Sequence, residues 1–197
     1  MLKKICLPAM LGLMLSLPGH AADAGKRVLL VVASYKVKAS EYTDTRAALE
    51  KAGNKIVVAS TGLDPAWTDT SLQIKPDLKI ADAKAGDYDA VAIIGGEGSA
   101  LELWDDAPLH QLVQNAARAD KIVAAICMAP GALAKAGLLK GKNATAYPLQ
   151  SAFGVLKAGG ATYLEQRVVV DGKIVTGRNP EAGPEFGATL AALLASR

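Results

Sequence analysis

The chain has 197 residues, a formal charge of +3, 51% hydrophobic and 5% aromatic residues, and two cysteines. A near-neutral balance with no basic run and few aromatics excludes a nucleic-acid footprint, and two cysteines exclude a disulfide-stapled scaffold. The length fits one domain with its own core rather than two.

At the N-terminus, Lys3 and Lys4 precede an uncharged, mostly apolar stretch of 13 residues, Ile5 to Leu17, which ends in Pro18, Gly19, His20 and Ala21. That is the layout of a signal peptide over residues 1–21, with cleavage after Ala21 or as late as Ala24. A retained membrane anchor is the alternative, but spanning a bilayer takes roughly 20 apolar residues, and no later segment has that character. The expectation is an exported protein, periplasmic in a Gram-negative source and secreted otherwise, free of the membrane once the signal is removed. Cleavage takes away Lys3 and Lys4, lowering the formal charge from +3 to +1. It also takes away Cys6 and leaves Cys127 without an intramolecular partner. A lone cysteine in an oxidising compartment is either a buried small hydrophobe or a reactive thiol.

From residue 25 to 197, strand and helix signals alternate as one domain. Arg27-Val-Leu-Leu-Val-Val-Ala33 is the unbroken apolar run of a strand covered on both faces. Ser40 is placed to cap a helix from Glu41 to Ala52, ended by Gly53. Lys55 to Ser60 is a second strand, and residues 62–87 are irregular with room for a hairpin from Trp67 to Ile74. Asp89 to Ile94 is a buried strand running into Gly95 and Gly96. Asp106 and Pro108 start a helix whose Leu109, Leu112, Val113, Ala116 and Ala117 share one face. Lys121 to Ile126 is a strand that ends at Cys127, and Ala129 to Gly137 a helix. A strand near Ala144 to Ala146 and a helix near Leu149 to Ala158 come next, then strands at Arg167 to Val170 and Lys173 to Thr176. The final helix begins near Pro184 and buries Phe186, Leu190, Leu193 and Leu194. Repeated βα units of this kind predict a three-layer α/β fold, a mostly parallel sheet with helices on both faces. Sites in such sheets lie beyond the carboxyl ends of the strands, where both Gly95-Gly96 and Cys127 fall.

An apolar strand, a cysteine and a helix within three residues make a nucleophile elbow. The turn lifts the side chain out of the sheet, and nearby helix amides favour a thiolate, lowering the thiol from about 8.5 to below 7.5. One cysteine and one mature histidine, His110, cannot make a usual zinc set, so no metal is expected, and no cofactor motif appears. His110 itself reads as an exposed helix residue.

Ala-Ala-Ile-Cys127-Met-Ala-Pro130 resembles the nucleophile motif of the ThiJ/PfpI superfamily, which includes the parkinsonism-associated protein deglycase and shares the flavodoxin-like, class I glutamine amidotransferase-like fold. Four further segments resemble that superfamily in order: Ile94-Gly-Gly96, Leu103-Trp-Asp-Asp-Ala-Pro-Leu109, Ala144-Thr-Ala-Tyr-Pro148 and Val168 to Arg178. The later segments look closest to the PfpI branch. The resemblance implies that Glu41, early in the first helix, hydrogen-bonds the Cys127 sulfur and can shuttle a proton. It implies an oxyanion hole from the Gly96 and Met128 amides, with Gly95, Tyr147 and Arg178 lining the site. It also implies a homo-oligomer, a dimer or larger. Two positions depart from the pattern. Members thought to hydrolyse peptides carry histidine after the cysteine, where this chain has Met128. Members with glyoxalase or deglycase activity often carry histidine where this chain has Tyr147.

The leading expectation is therefore glyoxalase or deglycase chemistry on a small reactive carbonyl. The second is a redox-responsive stress protein in which an oxidant attacks Cys127. A peptidase or amidase comes third, since Met128 leaves no Cys-His pair; a structural or binding protein is the remaining alternative.

Overall fold

Apolar runs that alternate with amphipathic ones must be buried between layers, and the central strands show this directly. A computed structural model describes residues 25–197; the expected signal peptide and its cleavage sites lie outside the described residues. In chain order the elements are β1 (Arg27–Val31), α1 (Ala39–Lys51), β2 (Lys55–Ser60), β3 (Ala66–Trp67), β4 (Gln73–Ile74), β5 (Leu78–Lys79), β6 (Ala90–Ile93), α2 (Ala107–Arg118), β7 (Ile122–Ile126), α3 (Pro130–Lys135), β8 (Asn143–Ala144), α4 (Gln150–Ala158), β9 (Thr162–Tyr163), β10 (Val168–Asp171), β11 (Ile174–Gly177) and α5 (Gly183–Ala195).

The main sheet has seven strands in the order β10-β11-β7-β6-β1-β2-β5. All its pairings are parallel except the β10–β11 hairpin. In the centre, Val28 stands opposite both Ile56 and Ala90, and Ala90 opposite Ile122. Val28 to Val31, Ala90 to Ile93 and Ile122 to Ile126 are buried, as strands covered on both faces must be. Helices α1 and α5 pack together, α2, α3 and α4 form a second group, and the sheet lies between them. Phe186, Leu190 and Leu194 of α5 are fully buried in the core. Each such side chain is worth about 1.5–3 kcal/mol relative to exposure. No helix among the described residues is long and apolar enough to cross a membrane.

Several expectations shift in detail. The hairpin forms, with Ala66 opposite Ile74. The strand expected near Ala144 is only two residues long and pairs with β9, outside the main sheet. Ala117 and Leu193 are half-buried rather than buried, because each lies at the rim of its helix's apolar stripe. Asp106 caps α2 as expected, its Oδ1 accepting from the Leu109 amide at 2.6 Å.

Ser40 does not cap α1. The helix begins two residues earlier than expected, at Ala39, and the acceptor comes from across the chain: Asp69 Oδ1 takes the Ala39 amide at 2.9 Å. Asp69 is held there by its own amide on the Val37 carbonyl at 2.8 Å, and its Oδ2 pairs with Lys38 Nζ at 2.7 Å. Asp69 thus answers an orphan donor of α1 and pins the helix start that carries Glu41. Asp69→Ala is expected to lose about 1–2 kcal/mol of stability in urea unfolding, the worth of a lost cap. Ser40→Ala should stay within about 0.5 kcal/mol of the parent, as for a surface site without a cap.

Candidate active site

The site assembles where three parallel strands end on the same side. β7 runs out at Ile126, and Cys127 then takes φ +65°, the left-handed region that a residue with a Cβ adopts only under constraint. Three backbone bonds supply that constraint. The Cys127 amide donates to Gly177 O at 2.9 Å, the Cys127 carbonyl accepts from the Tyr147 amide at 2.8 Å, and the Ala129 amide closes the turn on Ile126 O at 3.0 Å. The predicted elbow is present; the helix behind it, α3, is only six residues long.

β6 ends beside it at Ile93, and the chain passes through Gly95 and Gly96. The Gly95 amide donates to Glu41 Oε2 at 3.0 Å. A Cβ at Gly95 would stand 2.6 Å from that oxygen and 2.7 Å from the Cys127 Cβ, so only glycine lets carboxyl and thiol meet. Gly96 has φ +106°, and a Cβ there would stand 2.2 Å from the Lys36 carbonyl oxygen. This turn aims the Gly96 amide at the Cys127 sulfur, and the elbow aims the Met128 amide at it as well.

The first turn of α1 delivers Glu41, fully buried. Its Oε1 has no well-formed partner of its own, and the group it faces is the Cys127 thiol. Cys127 is 5% exposed and opens into a shallow pocket of 260 Å³. Lys38, Glu97, Tyr147, Leu149 and Pro180 line the pocket with Gly96 and Met128. Among the described residues no group of three or more His, Cys, Asp and Glu side chains is arranged to hold a metal ion.

The fold thus brings together Cys127, Glu41, Gly95, Gly96, Met128 and Tyr147. Arg178 is placed elsewhere, contrary to expectation. Its Nη2 pairs with Glu165 Oε1 at 2.8 Å, and it does not line the pocket. The backbone of Gly177, one residue before, is the part of that strand that reaches Cys127. His110 is half-buried rather than exposed, with Nε2 on the Trp104 carbonyl at 2.9 Å, outside the pocket. Sequence reasoning missed Lys38, Glu97, Leu149 and Pro180. Lys38 was within reach of it, standing three residues before Glu41 just past the end of β1. The others depend on how loops meet over the sheet.

Burial pushes the Glu41 carboxyl up to about 7, against opposing hydrogen bonds from Cys127 and the Gly95 amide and the more distant charge of Lys38. Burial also pushes the Cys127 thiol up, reinforced by the Glu41 charge and hydrogen bond, while the Gly96 and Met128 amides pull it down. The simple lowering expected from an elbow therefore does not hold: burial, the largest influence on the thiol, outweighs the two amides. Two acids out of water cannot both carry charge. Protonating Glu41 removes the charge that adds to this rise, and a carboxyl near 7 holds its proton in part at neutral pH. Because this folded value lies above the ordinary 4.5, the folded chain binds the extra proton. The stabilisation is complete below pH 4.5 and is lost as pH rises through about 7. Glu41→Gln should therefore flatten the decline in unfolding free energy between pH 4.5 and 7.5, a component of about 3 kcal/mol in the parent; parallel pH curves for the two proteins would contradict it.

Comparison with known proteins agrees with this fold. Residues 26–193 match the model of the DJ-1/PfpI family. An uncharacterised protein of Methanocaldococcus jannaschii is 38% identical over 161 residues, covering 82% of this chain and 78% of the relative. The Parkinson disease protein 7 homolog of Danio rerio is 32% identical, covering 85% and 88%. Among solved structures, a ThiJ/PfpI domain protein from Brachyspira murdochii superposes with a TM-score of 0.83 at 28% identity, covering 88% of this chain and 98% of its own. Drosophila melanogaster DJ-1beta does so with 0.79 at 31% identity, covering 88% and 92%. With a thiol elbow and a buried glutamate on a seven-stranded sheet of this order, and with the family model matching residues 26–193, this protein belongs to the DJ-1/PfpI family.

Proposed function

We propose that this protein is an exported, cysteine-dependent enzyme of glyoxalase or deglycase type, acting on small reactive carbonyls through Cys127. The observation that carries this reading is the buried Glu41 carboxyl facing the Cys127 thiol beside two backbone amides aimed at the sulfur. Such a pair can make a nucleophile and move a proton without a histidine. The pocket of 260 Å³ suits a substrate of a few heavy atoms better than a peptide. Export is supported by the basic start and apolar stretch of residues 1–21. The family habit supports a homo-oligomer as the working form.

With a 2-oxoaldehyde such as methylglyoxal, the Cys127 thiolate adds to the aldehyde carbon. The new oxyanion sits against the Gly96 and Met128 amides and takes the proton that Glu41 held. The Glu41 carboxylate then removes the hydrogen on the former aldehyde carbon and returns it to the neighbouring ketone carbon, through an enediol. The product is a thioester of a 2-hydroxy acid. Water cleaves it, releasing lactate and restoring the thiol. The aldehyde carbon is oxidised, the ketone carbon reduced and one water consumed, so no external redox partner is needed.

A second reading is favoured by one feature, the buried Glu41 carboxyl beside the thiol, whose Oε1 has no other hydrogen-bond partner. A protonated carboxyl there would donate to a sulfinate on Cys127, as the Gly96 and Met128 amides would, making this thiol a sensor of peroxide. Peptide hydrolysis is disfavoured, since among the described residues no histidine lines the Cys127 pocket.

Methylglyoxal is expected to be converted to lactate by the parent and not by Cys127→Ala, with Glu41→Gln about 10²–10⁴-fold slower in kcat. No turnover at high protein concentration, together with a Cys127 that gains two oxygens and stops there under mild peroxide, would replace the carbonyl reading with the sensor.

A further inference from the structure

The Cys127 elbow is strained, and something must hold it. A non-glycine residue at φ +65° sits in a sparsely populated, strained region, and its neighbours have to offset that cost. The peptide between Cys127 and Met128 is fixed by the Tyr147 amide on the Cys127 carbonyl. The next peptide is fixed by a side chain: Trp104 Nε1 donates to the Met128 carbonyl at 2.7 Å. The only other donor to that oxygen among the described residues is the Gly131 amide, longer at 3.3 Å. Of the hydrogen bonds that hold the elbow from Cys127 to Ala129, Trp104's is the one made by a side chain.

Trp104 is itself clamped at both ends. Its ring lies against the backbone of α3, where a Cβ at Gly131 would come within 2.3 Å of the indole. Its carbonyl meets His110 Nε2 at 2.9 Å. A carbonyl can only accept, so Nε2 carries the hydrogen in this contact, whichever charge the ring bears. Lys135 of α3 adds a surface tie to Asp105 at 2.6 Å. Neither Trp104 nor His110 lines the Cys127 pocket, so neither touches a bound molecule there.

We propose that Trp104 is a positioning residue for the thiol: with His110 it forms a strut from α2 to the Met128 carbonyl that holds the Met128–Ala129 peptide, and with it the left-handed turn at Cys127 that presents the sulfur. It rests on the reading of Cys127 as a reactive thiol, but not on which substrate that thiol meets. The ring fills space, and Phe can do the same; the N–H cannot be replaced by Phe. Losing it leaves the Met128 carbonyl to the long Gly131 bond and lets the elbow relax toward an unstrained backbone. The turn then loses its side-chain brace on the far side of Met128, and the sulfur shifts relative to its backbone donors.

The test is the pH profile of Cys127 alkylation by iodoacetamide, followed by intact mass. In Trp104→Phe the midpoint should move to higher pH, and the rate at pH 7 should fall about three- to tenfold, the worth of one net hydrogen bond. His110→Ala should move the profile the same way by less, and His110→Gln, whose amide can donate to the Trp104 carbonyl, should restore it. If methylglyoxal is turned over, the Trp104→Phe loss should appear in kcat with KM retained. A Trp104→Phe profile that superposes on the parent, with only a lower melting temperature, would make Trp104 a packing residue and overturn the proposal. If Trp104→Phe does not fold, His110→Ala and His110→Gln decide the matter, and identical profiles for both would also overturn it. Absence of methylglyoxal turnover in the parent would count against the carbonyl reading alone, because the alkylation profile needs no turnover.

Discussion

Two acids face each other out of water, and the surrounding architecture is arranged around that contact. The Glu41 carboxyl and Cys127 thiol come from positions 86 residues apart in the chain. They meet because β1, β6 and β7 lie side by side and parallel, so that the segments leaving these strands emerge on the same side. From β1 comes the start of α1 with Glu41, from β6 the Gly95-Gly96 turn, and from β7 the elbow. Burial opposes charge on either acid. The site offsets this with backbone amides rather than with a cationic partner in contact: Gly95 for the carboxyl, Gly96 and Met128 for the sulfur. Amides carry no proton to lose, so the balance between thiolate and carboxylate is set by the pair itself.

That arrangement costs stability in three places: a left-handed cysteine, a carboxyl raised toward neutrality and a buried oxygen with no firm partner. The rest of the fold supplies it. The central strands are buried on both faces, α5 drives Phe186 into the core, and Asp69 holds the first turn of α1 from a loop on another part of the chain. The site is therefore held by elements that have no part in its chemistry. The strain is local, and the support is spread over the sheet.

Among the described residues no histidine stands at the thiol, and this changes the character of the site. A Cys-His pair makes a permanent thiolate beside an imidazolium. Here a buried carboxyl takes that place, and its charge and hydrogen bond act against the thiolate rather than for it. Chemistry that needs a proton moved between adjacent carbons suits such a pair. So does an oxidised sulfur held by a donor carboxyl. Hydrolysis of an amide, whose leaving nitrogen must be protonated by a separate acid, does not.

The apolar runs at residues 28–31, 90–93 and 122–126 were enough to read a doubly covered parallel sheet, because continuous hydrophobic strands have no other soluble home. The elbow at Cys127, the Gly95-Gly96 turn and the helix capped by Asp106 were legible for the same reason: each depends on residues within a few positions of one another. Glu41 entered only through family resemblance, since its local sequence is equally that of an ordinary first-turn carboxylate. Long-range contacts settled the points that local sequence cannot carry. They put Asp69 rather than Ser40 at the start of α1, turned Arg178 to Glu165 and His110 to Trp104, and set burial and Glu41 against the thiol's ionisation. Those outcomes depend on which groups meet across the sheet and how much water is left between them. The order of residues alone required that one thiol stand at the end of a buried strand; the proton it shares and the contacts that hold it there arise only once the chain has folded.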